Sequence, residues 1–408
     1  MSTRHNTVDI LLVGIGGYGN IYLNGLIQNE DNNDYKYKIK GTVEPYPSGC
    51  DNISYLEDNN IPIYNSMDEF FNQHSADLTV ISSPIHYHSR QTIKALEEGS
   101  NVLCEKPVCG TVQELKKMKA KRDKTNQFVT IGYQWSFADA ILDLKKDIIN
   151  GKYGKPEKLK TIVKWPRDKN YYNRNSWAGK IKDNNGNWIL DSVANNATAH
   201  YLHNMFFVLG ESLDSSAQLN KVKSELYRGN DIENFDTAVF KVLTEKDVEV
   251  LYLGTHAVQD RVGPKFEFEF ENGVVKYEDK DRENDIIGEL NNGEIINYGN
   301  PFADNLNKLW LALEAVNNDK VLLPCSLEAS APQLITINAA QENTKIIDFP
   351  EKVINYDQDK ELIWIENLSE VLNNCYKEFK SPGEIDISWS ENTEEIDVTD
   401  YNNFKGIY

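Results

Sequence analysis

The chain has 408 residues, 40% of them hydrophobic, and 43 Lys+Arg against 63 Asp+Glu give a formal net charge of −20. That length fits two or three domains with sizeable cores and excludes global disorder, while the acidic balance argues against nucleic acid and anionic membrane as partners, because both need a basic face. No apolar run approaches the ~18–20 residues that span a bilayer, Ile10–Ile15 is too short for a signal-peptide core, and Cys50, Cys104, Cys109, Cys325 and Cys375 have neither a disulfide-framework nor a zinc-site pattern, so the expectation is a cytoplasmic protein without a metal.

In chain order, Val8–Val13 (VDILLV) is the short apolar run of a buried parallel strand. It enters Gly14-Ile15-Gly16-Gly17-Tyr18-Gly19, after which Ile21–Ile27 reads as a helix. A polar stretch, Gln28–Lys38, precedes a second strand at Ile39–Val43, which ends at Glu44-Pro45. A helix at Met67–Gln73, a strand at Leu78–Ser82, a helix at Ser89–Glu98, a strand at Asn101–Cys104, a helix at Val112–Lys124 and a strand at Phe128–Tyr133 follow. Strand and helix alternating at this pace predict a doubly wound parallel sheet over residues 1–134.

From residue 135 the pattern changes. Ala138–Asn150 reads as an amphipathic helix, and Leu159–Trp165, Phe235–Leu243, Val248–His256, Phe266–Glu271 and Val274–Tyr277 read as strands. FEFEFE at Phe266–Glu271 is strict period-2 alternation, the pattern of a sheet with one solvated face. Residues 135–408 are therefore expected to form an α+β domain with a large, mostly antiparallel open sheet. Helices are expected at Phe302–Asn317 and Ser326–Asn343, and the acidic tail from Glu384 is expected to pack loosely.

Gly14, Gly16 and Gly19 make G-x-G-x-x-G between a strand and a helix, the context a dinucleotide fingerprint requires. The first glycine permits the tight turn, the second lets the backbone approach a pyrophosphate, and the third lets helix pack on strand, with Gly17 and Tyr18 completing the loop. Glu44 ends the second strand, where a carboxylate accepts from ribose hydroxyls and repels a 2′-phosphate, favouring NAD over NADP. It stands 30 residues beyond Gly14, against the usual ~20, and the polar stretch absorbs the excess.

VISSPIHYHSRQTIKALEEGSNVLCEKPV, at Val80–Val108, taken with the glycine motif, resembles the Gfo/Idh/MocA family of glucose-fructose oxidoreductase and the inositol dehydrogenases. The resemblance implies a nicotinamide-dependent oxidoreductase acting on sugars or cyclitols. It places Ser82, Ser83, Pro84, His86 and His88 along the dinucleotide. Glu105 and Lys106 match the EKP motif, whose lysine stands between nicotinamide and substrate. A lysine at a strand end suits that role, because its charge can lower the pKa of a reacting hydroxyl or shuttle its proton.

In the second half, LDSVANNATAHYLHNMFFVLG at Leu190–Gly210 is similar to the family segment whose Asp and His face the substrate, which implies catalytic roles for Asp191 and His200. The two differ by nine in number, where the family pair differs by about four, and Asn195-Asn196-Ala197 fills the excess. Either Asp191 keeps its role over a bulged loop or an Asn supplies the contact. His203 shares the helical face of His200 without a further metal ligand. Trp135, Arg167, Tyr172, Trp177, Asn196 and His203 are the expected substrate contacts, since aromatic faces stack on sugar C–H groups while amides and guanidiniums bind hydroxyls.

Three functions compete: a dehydrogenase of a secondary hydroxyl, an NAD-dependent glycoside hydrolase that oxidises and then re-reduces its substrate, and a sensor that binds without turnover. By analogy with the family the chain is expected to be a homodimer or homotetramer.

Overall fold

The structure is a computed structural model that describes residues 7–30 and 35–408; residues 1–6 and residues 31–34, the latter inside the polar stretch Gln28–Lys38, lie outside it. The chain forms two compact units. The first runs to Cys109 and adds Gln113–Phe137 and Asp304–Ser330; the second holds Gly110–Val112, Ala138–Ala303 and Ala331–Tyr408.

Unit one is a six-stranded, all-parallel sheet of β1 (Val8–Val13), β2 (Tyr37–Val43), β3 (Ile63–Tyr64), β4 (Leu78–Ile81), β5 (Asn101–Cys104) and β6 (Val129–Ile131) in the order β3-β2-β1-β4-β5-β6. Ile10 and Leu11 are both fully buried, because helices cover both faces and alternation has no solvent side to follow. The strand order reverses between β1 and β4, which leaves a crevice at their carboxyl ends.

The helix Asn307–Asn317 returns to this unit, setting Leu309, Ala312 and Leu313 in one core with Val8, Ile10, Leu12 and Leu23. Division at residue 134 assigned this segment to the second domain. A helix that fills the flank of a sheet from 170 residues away carries no local sign of its destination.

Gly19 shows how tightly the first helix meets the first turn. A Cβ there would lie 2.1 Å from the Gly14 carbonyl oxygen. Gly19→Ala is expected to cost about 1–3 kcal/mol by forcing helix from strand, read as a lower thermal midpoint. An unchanged midpoint would contradict this packing.

Unit two is built on a ten-stranded sheet. Its strands are β7 (Pro156–Lys164), β8 (Leu219–Arg228), β9 (Thr237–Thr244), β10 (Glu249–Thr255), β11 (Val262–Phe270), β12 (Gly273–Glu278), β13 (Ile286–Leu290), β14 (Ile295–Gly299) and β15 (Ile346–Asp348). They run in the order β14-β13-β12-β11-β7-β10-β9-β8-β15, antiparallel except where β7 meets β10 and β8 meets β15. A hairpin of β16 (Ile354–Asp357) and β17 (Leu362–Ile365) stands apart, and β18 (Ile396–Asp397) adds to β8.

The alternation in β11 reads out as expected. Phe266, Phe268 and Phe270 are 2%, 0% and 5% exposed, while Glu267 and Glu269 reach Lys160 at 2.8 and 3.6 Å on the other face. That second face meets the helix Leu368–Glu378, whose Leu368, Leu372 and Cys375 join Ile162, Leu251 and Leu253 in a core.

The acidic tail is not loose. Glu384 pairs with Lys223 and Lys241 at 3.2 and 3.0 Å, β18 pairs with β8, and Phe404 is buried edge-on against Trp188 with ring centroids 4.9 Å apart. Net acidity hid a few well-placed apolar and pairing positions. Among the described residues no helix is long and apolar enough to cross a membrane, and no group of three His, Cys, Asp or Glu side chains is placed to hold a metal.

Candidate functional site

In unit one the glycine turn lies at the β1–β4 switch. Gly14 has φ +83°, and a Cβ on it would lie 2.9 Å from the Ser83 amide nitrogen, so only glycine lets the two loops come this close. The Ser82 hydroxyl locks the approach by donating to the Gly14 carbonyl at 2.7 Å. Over Gly16 a Cβ would meet nothing nearer than 3.4 Å, and over Gly17 nothing within 4 Å. The crest of the turn is thus open, with the helix Gly19–Gln28 starting behind it. This is a cradle for an anion such as a pyrophosphate, which backbone amides and the helix end would hold without any net positive charge.

Glu44 reaches the same turn. Its carboxylate accepts from the Ile15 amide at 3.2 Å and the Tyr46 amide at 3.0 Å. The long count from Gly14 does not matter, because β2 lies beside β1 and register decides who is adjacent. Tyr18 sits on the loop with its hydroxyl 3.3 Å from the Gln134 amide oxygen.

His88 is 1% exposed, and its ring nitrogens stand 2.8 Å from both the Pro107 and the Ser83 carbonyl oxygens. It ties the loop after β4 to the loop after β5. Burial pushes its pKa down against the pull of those two carbonyls. His86 is 8% exposed and packs on Tyr87 with ring centroids 4.1 Å apart. Trp135 is 1% exposed.

Lys106 is half-buried at the carboxyl end of β5. Its amide donates to Glu105 Oε2 at 3.2 Å. Glu105 itself is 5% exposed, and its other oxygen takes the Tyr22 hydroxyl at 2.5 Å and the ammonium of Lys308. Lys308 is fully buried and also donates to the Gly132 carbonyl and the Tyr18 hydroxyl, each at 3.1 Å. Burial alone would lower its pKa, but Glu105 and Tyr18 outweigh that and the net shift is upward. Sequence reading missed Lys308. Its one signal was a lysine interrupting the apolar run of NLNKLWLALEA.

In unit two the excess residues between Asp191 and His200 fold as consecutive turns, with Asn196 N bonded to Ser192 O at 3.1 Å and Thr198 N to Val193 O at 3.1 Å. This brings the Asn196 amide onto Asp191 Oδ1 at 2.7 Å, while Oδ2 accepts from the Gly179 amide at 2.6 Å. Asp191, 3% exposed, and Asn196 are therefore joined by a direct hydrogen bond. Asn195 is wholly buried and bonds to the Leu190 carbonyl at 3.0 Å. His200, half-buried, opens the helix Ala199–Val208. His203 is 1% exposed and stacks on Phe207, and burial together with the nearby Lys145 lowers its pKa to about 3. That ring sits in the interior of the unit.

Arg167 stands over the Tyr171 ring at 4.5 Å, and Arg174 over the same ring at 3.7 Å and over Trp177 at 5.3 Å. The Tyr172 hydroxyl is almost wholly buried, and desolvation, with Asp236 and Asp191 nearby, drives its pKa upward. Trp165 meets Tyr201, the neighbour of His200, edge-on at 5.5 Å. The predicted aromatic and arginine stretch and the start of the helix Ala199–Val208 thus gather within this one unit.

Residues 8–133 match the family model described as oxidoreductase family, NAD-binding Rossmann fold. The chain is 32% identical over 80 residues to scyllo-inositol 2-dehydrogenase (NAD(+)) of Bacillus subtilis, covering 20% of this chain and 23% of that one. It is 24% identical over 149 residues to 2,7-anhydro-N-acetylneuraminate hydratase of Mediterraneibacter gnavus, covering 36% and 37%. The chain spans about a quarter to a third of the length of the curated relatives it matches. The crystal structure of the WlbA dehydrogenase of Bordetella pertussis in complex with NADH and UDP-GlcNAcA superposes with a TM-score of 0.65 at 18% identity, covering 81% of this chain and 95% of that one, a likeness of fold.

Proposed function

Since residues 8–133 belong to the NAD-binding Rossmann part of the Gfo/Idh/MocA oxidoreductases, we propose that the chain is an NAD-dependent enzyme that moves a hydride between nicotinamide and a secondary hydroxyl of a sugar, sugar derivative or cyclitol. The observation that carries this is the grouping, at the carboxyl ends of one parallel sheet, of an open glycine crest, Glu44 and Lys106. The dehydrogenase name of the Bacillus relative supports the substrate class.

The cofactor, when bound, supplies the hydride acceptor. The protein's part is positioning and proton handling. The amides of the glycine turn hold the pyrophosphate. Within unit one the Lys106 ammonium is suited to lower the pKa of a hydroxyl, and within unit two His200 is suited to take up a proton. Asp191, held by Asn196 and the Gly179 amide, is fixed to accept a hydroxyl hydrogen bond. Pure protein with NAD and a panel of sugars and cyclitols should show the near-ultraviolet absorbance of reduced nicotinamide with one of them. Bound cofactor that no polyol reduces would count against the proposal.

Glu44 sets the choice of cofactor in this reading. Glu44→Ser removes a charge that repels a 2′-phosphate, so the ratio of kcat/KM for NAD over NADP should fall at least about tenfold. An unchanged ratio would remove Glu44 from that role.

A second reading keeps the site and changes the outcome. The hydratase name of the Mediterraneibacter relative, whose match spans 149 residues, favours a reaction with no net redox change. Oxidation of a sugar carbon, elimination of the aglycone, addition of water and return of the hydride would give glycoside hydrolysis. Nitrophenol release from aryl glycosides without net reduced nicotinamide would select this reading over the first.

A further inference from the structure

Three of the chain's eight arginines, Arg167, Arg174 and Arg261, converge on one face of unit two. In a chain of net charge −20, like charges held together need a reason. Arg167 and Arg174 share the Tyr171 ring, at 4.5 and 3.7 Å. Arg261 lies over Trp165 at 4.2 Å, and Arg167 reaches the same ring at 5.8 Å. Among the described residues, no carboxylate forms an ion pair with any of the three, whereas Arg122 and Arg228 pair with Glu328 and Asp348 at 2.6 Å. Burial, and then the neighbouring Arg167, lower the pKa of Arg261 against the pull of Tyr201 and Asp279.

The Arg167 Nε is buried without a hydrogen-bond partner among the described residues. Arg167 also lines a pocket of about 360 Å³ with Tyr171, Gln259 and Lys360. Asp168 lines it too, but its carboxylate is engaged as the cap of the next helical turn, accepting from the Tyr171 amide at 2.8 Å. Lys360 is 3.8 Å from Asp357 and well exposed, so its charge remains available to a ligand. Asp191 acts on Tyr171 through space together with Arg167 and Arg174, which places the pocket's neighbourhood close to a proposed catalytic group of the same unit.

We infer that this pocket is an anion subsite, and that the substrate of the proposed oxidoreductase is an acidic sugar whose carboxylate or phosphate is held by Arg167 and Lys360, flanked by Arg174 and Arg261. The inference rests on the proposed function for the word substrate, but not for the binding itself. A planar guanidinium fork suits a carboxylate or phosphate in two-point contact, and Tyr171 offers its ring to the sugar's C–H face.

The test is calorimetric titration of the NAD-loaded protein with D-glucuronate, glucose 6-phosphate and D-glucose. At least one acidic sugar should bind about tenfold or more tightly than D-glucose, and added salt should weaken only the acidic one. Comparison of the two acidic sugars tells carboxylate from phosphate. Arg167→Gln should cut the acidic-over-neutral ratio about tenfold, and Lys360→Gln, at an exposed position that folding does not need, should lower it several-fold. Equal affinity for acidic and neutral sugars, no binding of either acid, or a ratio untouched by both variants would overturn the subsite. Binding is read as heat, so the two claims part cleanly. Acidic sugars bound but never oxidised would sink the redox reading alone, and neutral polyols oxidised with no acid preference would sink the subsite alone.

Discussion

Replacing Lys106 with alanine is expected to lower kcat by about 10²–10⁴-fold, the usual contribution of a positioned proton-transfer group, while NAD still binds. The reason is separation of tasks within unit one. The glycine crest and Glu44 are fixed by backbone and β-sheet register. The amide of Lys106 is held by Glu105 whatever its side chain, so the loop keeps its place in the variant. Lys106→Arg should recover little, because a planar, delocalised guanidinium does not place its charge where the compact ammonium stands. Cofactor fluorescence titration together with steady-state rates separates the two effects. A variant with normal kcat would remove Lys106 from the chemistry, and one that no longer binds NAD would make its role structural.

Lys308→Met is expected to cost about 3–5 kcal/mol of stability, because it leaves Glu105 buried with its charge uncompensated. The pair is 0% and 6% exposed at the side chains, so solvent screens it little. Adding Glu105→Gln should restore much of the loss, since the double variant buries no lone charge. Restoration no better than the single variant would show that packing, not charge, is at stake.

The pH dependence has a definite sign. The folded-state pKa of Lys308 is raised, so its contribution is fully present below the unfolded value near 10.4 and is lost only as pH rises through the higher folded value. Lys308's own titration should therefore add no slope to the stability of the wild type from pH 6 to 9, and a loss from it should begin only above about pH 10. Lys308 bonds one oxygen of Glu105 and the Lys106 amide bonds the other, which makes Lys308 a positioning residue. Its loss should lower kcat more than it raises KM, and chemical rescue by a small amine is not expected.

Most of the first unit could be read from residue order. Buried parallel strands are continuous apolar runs, and a glycine turn between strand and helix has few other uses, so the sheet and its loops were legible down to Gly14, Gly19 and Lys106. Lys308 was not, because its meaning depends on a helix returning from residue 307 to a strand at 104, a long-range fact with no local pattern. His88 looked like a ligand contact, yet its ring spans two loop carbonyls, something only the folded distance between Ser83 and Pro107 reveals. In the second unit the period-2 strand β11 was plain, while β8 and β13 to β17 are short or mixed in polarity and take their places from neighbours. The spacing of Asp191 and His200 raised the right question. The turns at Ser192–Thr198 take up the extra residues and bring Asn196 back onto Asp191.

Hydride transfer between nicotinamide and a carbinol carbon leaves an isotopic trace. The accepted substrate, deuterated at its secondary carbinol positions, is incubated with the wild-type enzyme and NAD, and the nicotinamide is analysed by mass and NMR. One deuterium is expected at C4 of the nicotinamide, on a single face, with a slowed rate. Substrate conversion with no deuterium ever reaching the nicotinamide, even in a single turnover, would contradict hydride transfer.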